Sequence, residues 1–210
     1  MHRQPPRPHA DQSTAALALL GLAPIVPAAG TPLLGLLLGL VVLTVLLLTC
    51  ASVMALRGLL GEHALRLTGT LLVQAAWASV AGLVLNAFAH ASFVALAPTL
   101  PLVAVSITLW GQAVSGLERT APFQAAWRQG LLVLALLTLV GFGRELAGRG
   151  SVLANADQLL GDWAHAFSVQ IFEPDATFLV AVLAPGAFLG LGFVLAAWNA
   201  WRAWRATARP

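Results

Sequence analysis

Lysine is absent from this 210-residue sequence, and charged residues of any kind make up only 9% of it, against 59% hydrophobic residues. A soluble domain normally carries about 25% charged residues. Because so few polar side chains cannot cover a water-soluble globule, the composition predicts an integral membrane protein. The eleven basic residues are all Arg and are scattered singly along the chain, which argues against binding to nucleic acid.

Cysteine is almost as scarce, because Cys50 is the single one in the sequence. A single cysteine excludes an internal disulfide and any metal site built from the cysteines of this chain alone. Since Cys50 lies inside an apolar run, we expect it to act as a small buried hydrophobic residue. The sequence also shows no catalytic triad, no glycine-rich phosphate loop, no metal-ligand spacing and no histidine pair suited to haem.

Long apolar runs are what the sequence has in abundance. A helix needs about 20 apolar residues to cross a bilayer. Four runs meet this requirement, the third with help from its flanks: 33–56, 68–90, 127–143 and 176–200. Two more runs, about 14–31 and 93–117, are apolar but interrupted by proline. Together they predict an all-α integral membrane protein of about six transmembrane helices.

The arginines predict the direction of these helices. With the N-terminus in the cytoplasm, six crossings place nine of the eleven Arg inside and leave only Arg144 and Arg149 outside. This is the positive-inside pattern, so we expect a bacterial inner-membrane protein with both termini in the cytoplasm. The expected division is a tail at 1–13, one transmembrane domain at 14–206 with an outer loop at about 148–175, and a tail at 207–210.

The chain divides into two halves that begin alike. The segments Leu22-Ala23-Pro24 with Pro27 and Leu96-Ala97-Pro98 with Pro101 open the two halves, about 14–91 and 92–206. Three spans is an odd number, so the second half must be inverted relative to the first. Interrupted helices at matching places of inverted repeats are a pointer to a site near the membrane midplane. The alternative is that these prolines only mark the edges of ordinary helices.

Other features of the sequence predict contacts with the membrane surface. Three tryptophans beside Arg202 and Arg205 predict an interfacial anchor at the end of the last span: Trp198, Trp201 and Trp204. Within 151–174, apolar residues at helical spacing predict a short amphipathic helix, and Asp175 is placed to cap the sixth span.

Polar residues inside the spans are few. Gln74 and Asn86 are interpreted as hydrogen-bonding partners between helices, and His90 as an interfacial residue. The charged pair nearest the hydrocarbon is Arg144-Glu145, flanked by Gly141 and Gly143. Because charge is costly inside a membrane, this pair is interpreted either as part of an ion path or as a structural clamp at the helix end.

Six stretches of the sequence form a recognisable series: Leu20-Gly21-Leu22-Ala23-Pro24, Gly143-Arg144-Glu145-Leu146, Gly148-Arg149-Gly150, 156–164, 169–172 and 184–192. In order and spacing they resemble a known family, the E subunit of the Rnf/Rsx complex and its homologue in the sodium-pumping NADH:quinone reductase. The resemblance implies six helices in inverted repeats, and pairing with a homologous, oppositely oriented subunit of the A type among the other subunits of the complex. It also implies electron transfer across the membrane coupled to ion movement.

In that family, each partner gives two cysteines to an iron–sulfur cluster at the shared interface. The positions that correspond to these cysteines are Ala23 and Ile107 in this sequence. Neither side chain can ligate iron, whereas such clusters are held by thiolates. Either the partner and other groups hold the cluster, or this is a divergent subunit with a structural or ion-path role.

Three functions remain open at this point. The leading hypothesis is a membrane subunit of an ion-translocating oxidoreductase complex, without an active site or cofactor ligand of its own. The first alternative is a small-solute or ion transporter built on inverted repeats. The second is a structural assembly subunit that has lost electron transfer.

Overall fold

The computed structural model describes residues 21–56, 63–106, 122–153, 169–170 and 179–207. Four of its helices are long and apolar enough to cross a membrane: Pro32–Ala55, Thr68–Phe88, Phe123–Arg149 and Ala184–Arg205. The architecture is therefore helical and membrane-spanning, as the sequence predicts. Of the predicted spans 14–31 and 93–117, only parts lie within the described residues, so the count of six stays a prediction.

The described elements follow one another along the chain as a series of helices with one small β pair. They are a 3₁₀ helix at Val26–Ala28, α1 (Pro32–Ala55), α2 (His63–Phe88), α3 (His90–Leu96), α4 (100–106 as described), α5 (Pro122–Arg149), β1 (Ser151–Val152), β2 (Val169–Gln170), α6 (Leu179–Val182) and α7 (Ala184–Thr207).

Helix α1 begins at a local cap. The Thr31 hydroxyl accepts a hydrogen bond from the Leu34 N–H at 3.2 Å, and Pro32 occupies the first turn, where a missing N–H costs nothing. Further along, the hydroxyls of Thr44 and Ser52 donate to carbonyls one turn earlier. These two hydroxyls thus have partners within the helix itself, which lowers the cost of placing them in hydrocarbon.

Helices α1 and α5 form the central contact of the fold, and they run antiparallel through small residues. A Cβ added to Gly35 would overlap the Leu137 carbonyl oxygen, and one added to Gly39 would lie 2.7 Å from the Leu134 Cα. One turn further along α1, Leu43 packs on Gly130 of α5. Glycine at these positions lets two backbones approach closely, which is a common way for helices to associate in membranes.

In both proline-containing segments, the helix stops at the leucine of the shared sequence Leu-Ala-Pro-x-x-Pro. The first helical segment ends at Leu22, and α3 ends at Leu96; a three-residue turn follows each. The two turns share one hydrogen-bond pattern, with Ile25 N–H to Leu22 O at 3.0 Å and Thr99 N–H to Leu96 O at 2.8 Å. In the second segment a helix resumes at Leu100, whereas the first continues only as the 3₁₀ helix Val26–Ala28 before α1 begins.

The predicted span 176–200 is not one helix, which corrects the sequence-based prediction. Helix α6 ends at Val182, and α7 begins at Ala184. Pro185 and Gly186 follow the break, and a Cβ on Gly186 would overlap the Val180 carbonyl oxygen. The backbones of α6 and α7 can approach this closely at the break because Gly186 has no side chain.

Helix α5 is longer than the predicted run 127–143, since it extends from Pro122 to Arg149. The helix is terminated by the next residue, Gly150, whose φ of 64° lies in the left-handed region that glycine adopts without strain. The following β1 pairs antiparallel with β2, with Ser151 opposite Gln170, and thereby closes the base of the predicted outer loop. The amphipathic helix predicted within 151–174 and the cap at Asp175 lie outside the described residues.

The α2–α3 junction explains two of the polar residues in the spans. Helix α2 ends at Phe88, and His90 begins α3; Nδ1 of His90 lies 2.7 Å from Oδ1 of Asn86. Both side chains are exposed, so this pair bridges the junction. Gln74, by contrast, is buried within α2.

Close packing at Gly39 makes a testable prediction. Gly39→Ala should lower the free energy of unfolding by about 1–3 kcal/mol, because an added methyl group must push apart two helix backbones. The matched control is Gly143→Ala on α5, where an added Cβ meets no heavy atom within 4 Å. Unfolding in mixed detergent micelles measures both variants, and equal stabilities would contradict the close contact.

Candidate functional site

Arg144 and its neighbour Glu145 are the two charged side chains buried in the described part of the chain, and Arg144 is only 5% exposed within a helix apolar enough to span a membrane. Helix α5 places it one turn beyond Gly141. A Cβ on Gly141 would overlap the Thr31 carbonyl oxygen, so α5 lies directly against the start of α1 at this level. Arg144 therefore projects toward the irregular backbone that precedes α1.

The guanidinium group of Arg144 donates hydrogen bonds to four backbone carbonyl oxygens. Nη1 donates to Pro27 O and Ala29 O, both at 2.9 Å. Nε donates to Ala181 O at 3.1 Å, and Nη2 donates to Leu183 O at 3.3 Å. The four acceptors come from two parts of the chain that are far apart in sequence.

Three of these carbonyls, those of Pro27, Ala29 and Ala181, lack a backbone donor among the described residues because regular helical bonding fails at both places. The fourth, Leu183 O, also accepts a hydrogen bond from the Gly186 N–H at 3.0 Å. Pro27 and Ala29 lie at the end of the 3₁₀ helix, and Ala181 and Leu183 flank the break between α6 and α7. A carbonyl without a partner in hydrocarbon costs several kcal/mol. Hydrogen bonds to a charged donor contribute about 1.5–3 kcal/mol each, so one arginine stabilises two helix interruptions at once.

Glu145, the other half of the predicted pair, is 1% exposed, and its Oε2 atom is out of contact with solvent. Consecutive residues of a helix project in different directions and do not face each other. The structure thus buries both charges at one level of α5, while the guanidinium bonds described above go to backbone oxygens. The hydrogen bonds of Arg144 join two separate parts of the backbone, as a structural clamp would; a role in an ion path stays a prediction.

The two positions that correspond to the family's cysteines are only partly described. Ala23 is half-buried in the turn after Leu22, and Ile107 lies outside the described residues. Ser106, directly before it, is fully buried, and its hydroxyl has no hydrogen-bond partner within the described ranges. A methyl group at position 23 offers no donor to a metal, so this part of the site does not fit an iron–sulfur cluster.

Cys50 is half-buried in α1, where it packs against the hydrophobic core. Among the described residues, no group of three or more His, Cys, Asp and Glu side chains is arranged to hold a metal ion.

Sequence patterns do not reveal the carbonyl acceptors of Arg144. Every residue has a backbone carbonyl, so no residue type marks those that are left without a helical partner. The nearest signal is Ala184-Pro185-Gly186, because proline and glycine together favour a break in a helix.

The fold and this site define a class: a polytopic membrane protein whose discontinuous helices are held together by a buried arginine. Residues 7–195 match the family described as "Rnf-Nqr subunit, membrane protein". The chain belongs to this family.

Individual relatives resemble the chain over most of its length. A protein of Pseudoalteromonas atlantica, named as the E subunit of an ion-translocating oxidoreductase complex, is 37% identical over 188 residues, which cover 88% of this chain and 81% of the relative. Proteins of the same name from Vibrio vulnificus and Aliivibrio fischeri are 32% and 33% identical, covering 90% and 95% of this chain and 83% and 89% of the relatives.

The arginine clamp predicts a specific loss of stability. Arg144→Gln should reduce the free energy of unfolding by about 3–5 kcal/mol, because an amide cannot supply donors to four separated carbonyls. Arg144→Lys should also be destabilising, since an ammonium group lacks the planar fork of a guanidinium. Unfolding in mixed micelles is the measurement.

Arg205→Gln serves as the control for loss of an arginine, because Arg205 is exposed near the end of α7. Its stability should stay within about 0.5 kcal/mol of the parent protein, as is usual for surface changes. If Arg144→Gln were no less stable than Arg205→Gln, the clamp would be refuted.

Proposed function

We propose that this chain is a membrane subunit of an Rnf-type ion-translocating oxidoreductase complex, in which electron transfer is coupled to ion movement across the membrane. The observation that carries the proposal is the 37% identity to a protein named as the E subunit of such a complex, over 88% of this chain. The four apolar helices and the interrupted segments between them supply a matching membrane scaffold.

Within this proposal, the chain forms six spans in two inverted repeats. Two observations support this arrangement. The interrupted segments share the pattern Leu-Ala-Pro-x-x-Pro at 22–27 and 96–101, and both turn at the same point. Helices α1 and α5, which would be corresponding spans of the two repeats, pack antiparallel, as inversion requires.

The arrangement in the cell is the next part of the proposal. The chain lies in the bacterial inner membrane with both termini in the cytoplasm, a direction supported by the uneven distribution of arginine. It pairs there with an oppositely oriented homologous subunit of the A type and with the other subunits of the complex. The exposed hydrophobic side chains of the spans supply surfaces for lipid and for these partners.

The role of Arg144 within this function is to position the interrupted helices. The first interrupted segment contains Ala23, at the place where the family has a cluster ligand, and Arg144 bonds to Pro27 and Ala29 just beyond it. The buried guanidinium fixes that segment relative to α6 and α7. In this proposal Arg144 contributes to the complex by holding these segments in position. The burial of its charge is explained by this role without an ion path along the site.

The proposal for the cofactor is that this chain supplies no cluster ligand. Ala23 and Ile107 have no thiol, and Cys50 lies within α1 against the core. A cluster at the interface with the partner would have to be held by groups outside this chain.

Replacing the cysteine tests this absence of ligands. Cys50→Ala should leave the iron content of the co-purified complex unchanged, because Cys50 is the chain's single cysteine and packs as a hydrophobic residue. Iron analysis and the visible absorption spectrum of the complex are the measurements. A loss of iron in the variant would show that this chain does ligate a cluster.

A second candidate function, transport by this chain alone, is favoured by the two interrupted helices, because transporters often bind their substrate at such breaks. Reconstitution separates the two functions. The complex in proteoliposomes should move ions when its electron donor is supplied, and omitting this chain should abolish the movement.

The purified chain reconstituted without other subunits should take up neither ions nor small solutes. Uptake by the chain alone would contradict the complex function and favour the transporter. Electron transfer that continues unchanged without the chain, with only assembly impaired, would favour the purely structural role.

A further inference from the structure

A groove of about 720 Å³ runs between α5 and α7 and is open along one side. Its walls are apolar except for Arg144, which lies at one end and is engaged with backbone carbonyls. Its volume falls within the range of about 300–1,000 Å³ that is typical of sites for small molecules. The described helices leave this space unfilled although it lies in the membrane-spanning part of the protein.

Two glycines keep the groove open. Gly143 of α5 and Gly190 of α7 both line it. A Cβ on Gly143 would meet no heavy atom within 4 Å, and one on Gly190 would make only an ordinary contact of 3.5 Å with Val140. At these two positions, unlike the glycines between α1 and α5, the absent side chain leaves space that the described residues do not occupy.

The surroundings of the groove are those of hydrocarbon. The lining side chain of Phe193 is 74% exposed, and that of Leu189 is 52% exposed. Along α7 the lining extends from Gly186 to Trp201, a length of about 22 Å at 1.5 Å per residue. One leaflet supplies about 15 Å of the roughly 30 Å hydrocarbon core, so an extended acyl chain fits along the groove.

The C-terminal end of the groove is aromatic, and Arg205 follows one helical turn beyond its last lining residue, Trp201. The Trp198 and Trp201 rings lie 5.4 Å apart, and the Arg205 guanidinium lies 3.9 Å from the centre of the Trp201 ring. The sequence of α7 contains no acidic residue. Indole rings favour the level of the headgroups, and an exposed guanidinium there attracts phosphate.

From these observations we propose that the groove binds an anionic phospholipid, with an acyl chain between α5 and α7 and the headgroup phosphate at Arg205. The occupant follows from the combination of an apolar channel somewhat longer than one leaflet with a tryptophan-lined end beside the Arg205 guanidinium. This inference goes beyond the proposed function, and it requires only that the chain spans a membrane.

The test uses the purified complex in vesicles of phosphatidylcholine that contain a minor fraction of phosphatidylglycerol with a photoactivatable acyl chain. After illumination, peptide mass spectrometry measures labelling of α5 and α7. The parent protein should be labelled at residues of the groove, and Gly143→Leu should abolish this labelling because the leucine fills the channel.

Gly192→Leu is the matched control. Gly192 is an exposed glycine of α7 whose added Cβ also meets nothing within 4 Å, and it does not line the groove. Its labelling should equal that of the parent protein. If Gly143→Leu prevented assembly of the complex, Gly190→Leu would test the same channel from the opposite wall.

The headgroup is tested by exchanging the photoactivatable lipid for phosphatidylcholine with the same acyl chain. The parent protein should prefer phosphatidylglycerol, and Arg205→Gln should reduce this preference about fivefold, since one basic residue near an anionic surface is worth about that factor.

Equal labelling of Gly143→Leu and Gly192→Leu would overturn the proposal. So would the absence of any preference for the anionic lipid in the parent protein. A third experiment places a photoactivatable residue at position 190. Crosslinking of this residue to a helix of another subunit would also overturn the proposal, because a protein partner would then occupy the groove. None of these outcomes bears on whether the chain works within the complex.

Discussion

The need to give every backbone carbonyl a partner inside hydrocarbon is the constraint on which the rest of this structure depends. Continuous helices such as α1 and α5 meet it through their own hydrogen bonds. The interrupted segments cannot, and Arg144 supplies the missing donors to Pro27, Ala29 and Ala181 and a second donor to Leu183. One buried cation therefore makes two discontinuities in the same membrane domain tolerable, and it fixes their positions relative to each other.

How much of this could be predicted from the sequence depends on whether the signal is local. Hydrophobic runs and prolines are local, so they predict the long helices near 33–56, 68–90 and 127–143 and the turns at 23–25 and 97–99. The break at Leu183 was missed because apolar residues continue on both sides of it. Helix α5 extends beyond its hydrophobic run because Arg144 and Glu145, which hydropathy places outside a span, become buried by packing.

The site was predicted in part for a related reason. The cost of charge in a membrane singled out Arg144 and Glu145, and the structure buries both. The hydrogen-bond partners of Arg144 could not be predicted from the sequence, because backbone carbonyls have no side-chain signature. These carbonyls also lie more than 30 residues away from Arg144 in sequence, on both sides of it. Among the functions left open, membership of the Rnf-Nqr family favours the complex over a lone transporter.

The contact between α1 and α5 also has a consequence for how such a chain can change over time. Because Gly35 and Gly39 bring main chain against main chain, the register of the two helices depends on a few positions where a side chain is forbidden. The outward faces of both helices are then free to diversify without disturbing that register. A scaffold of this kind can adapt its outer surface to new lipids or new neighbours while its interior geometry remains constant.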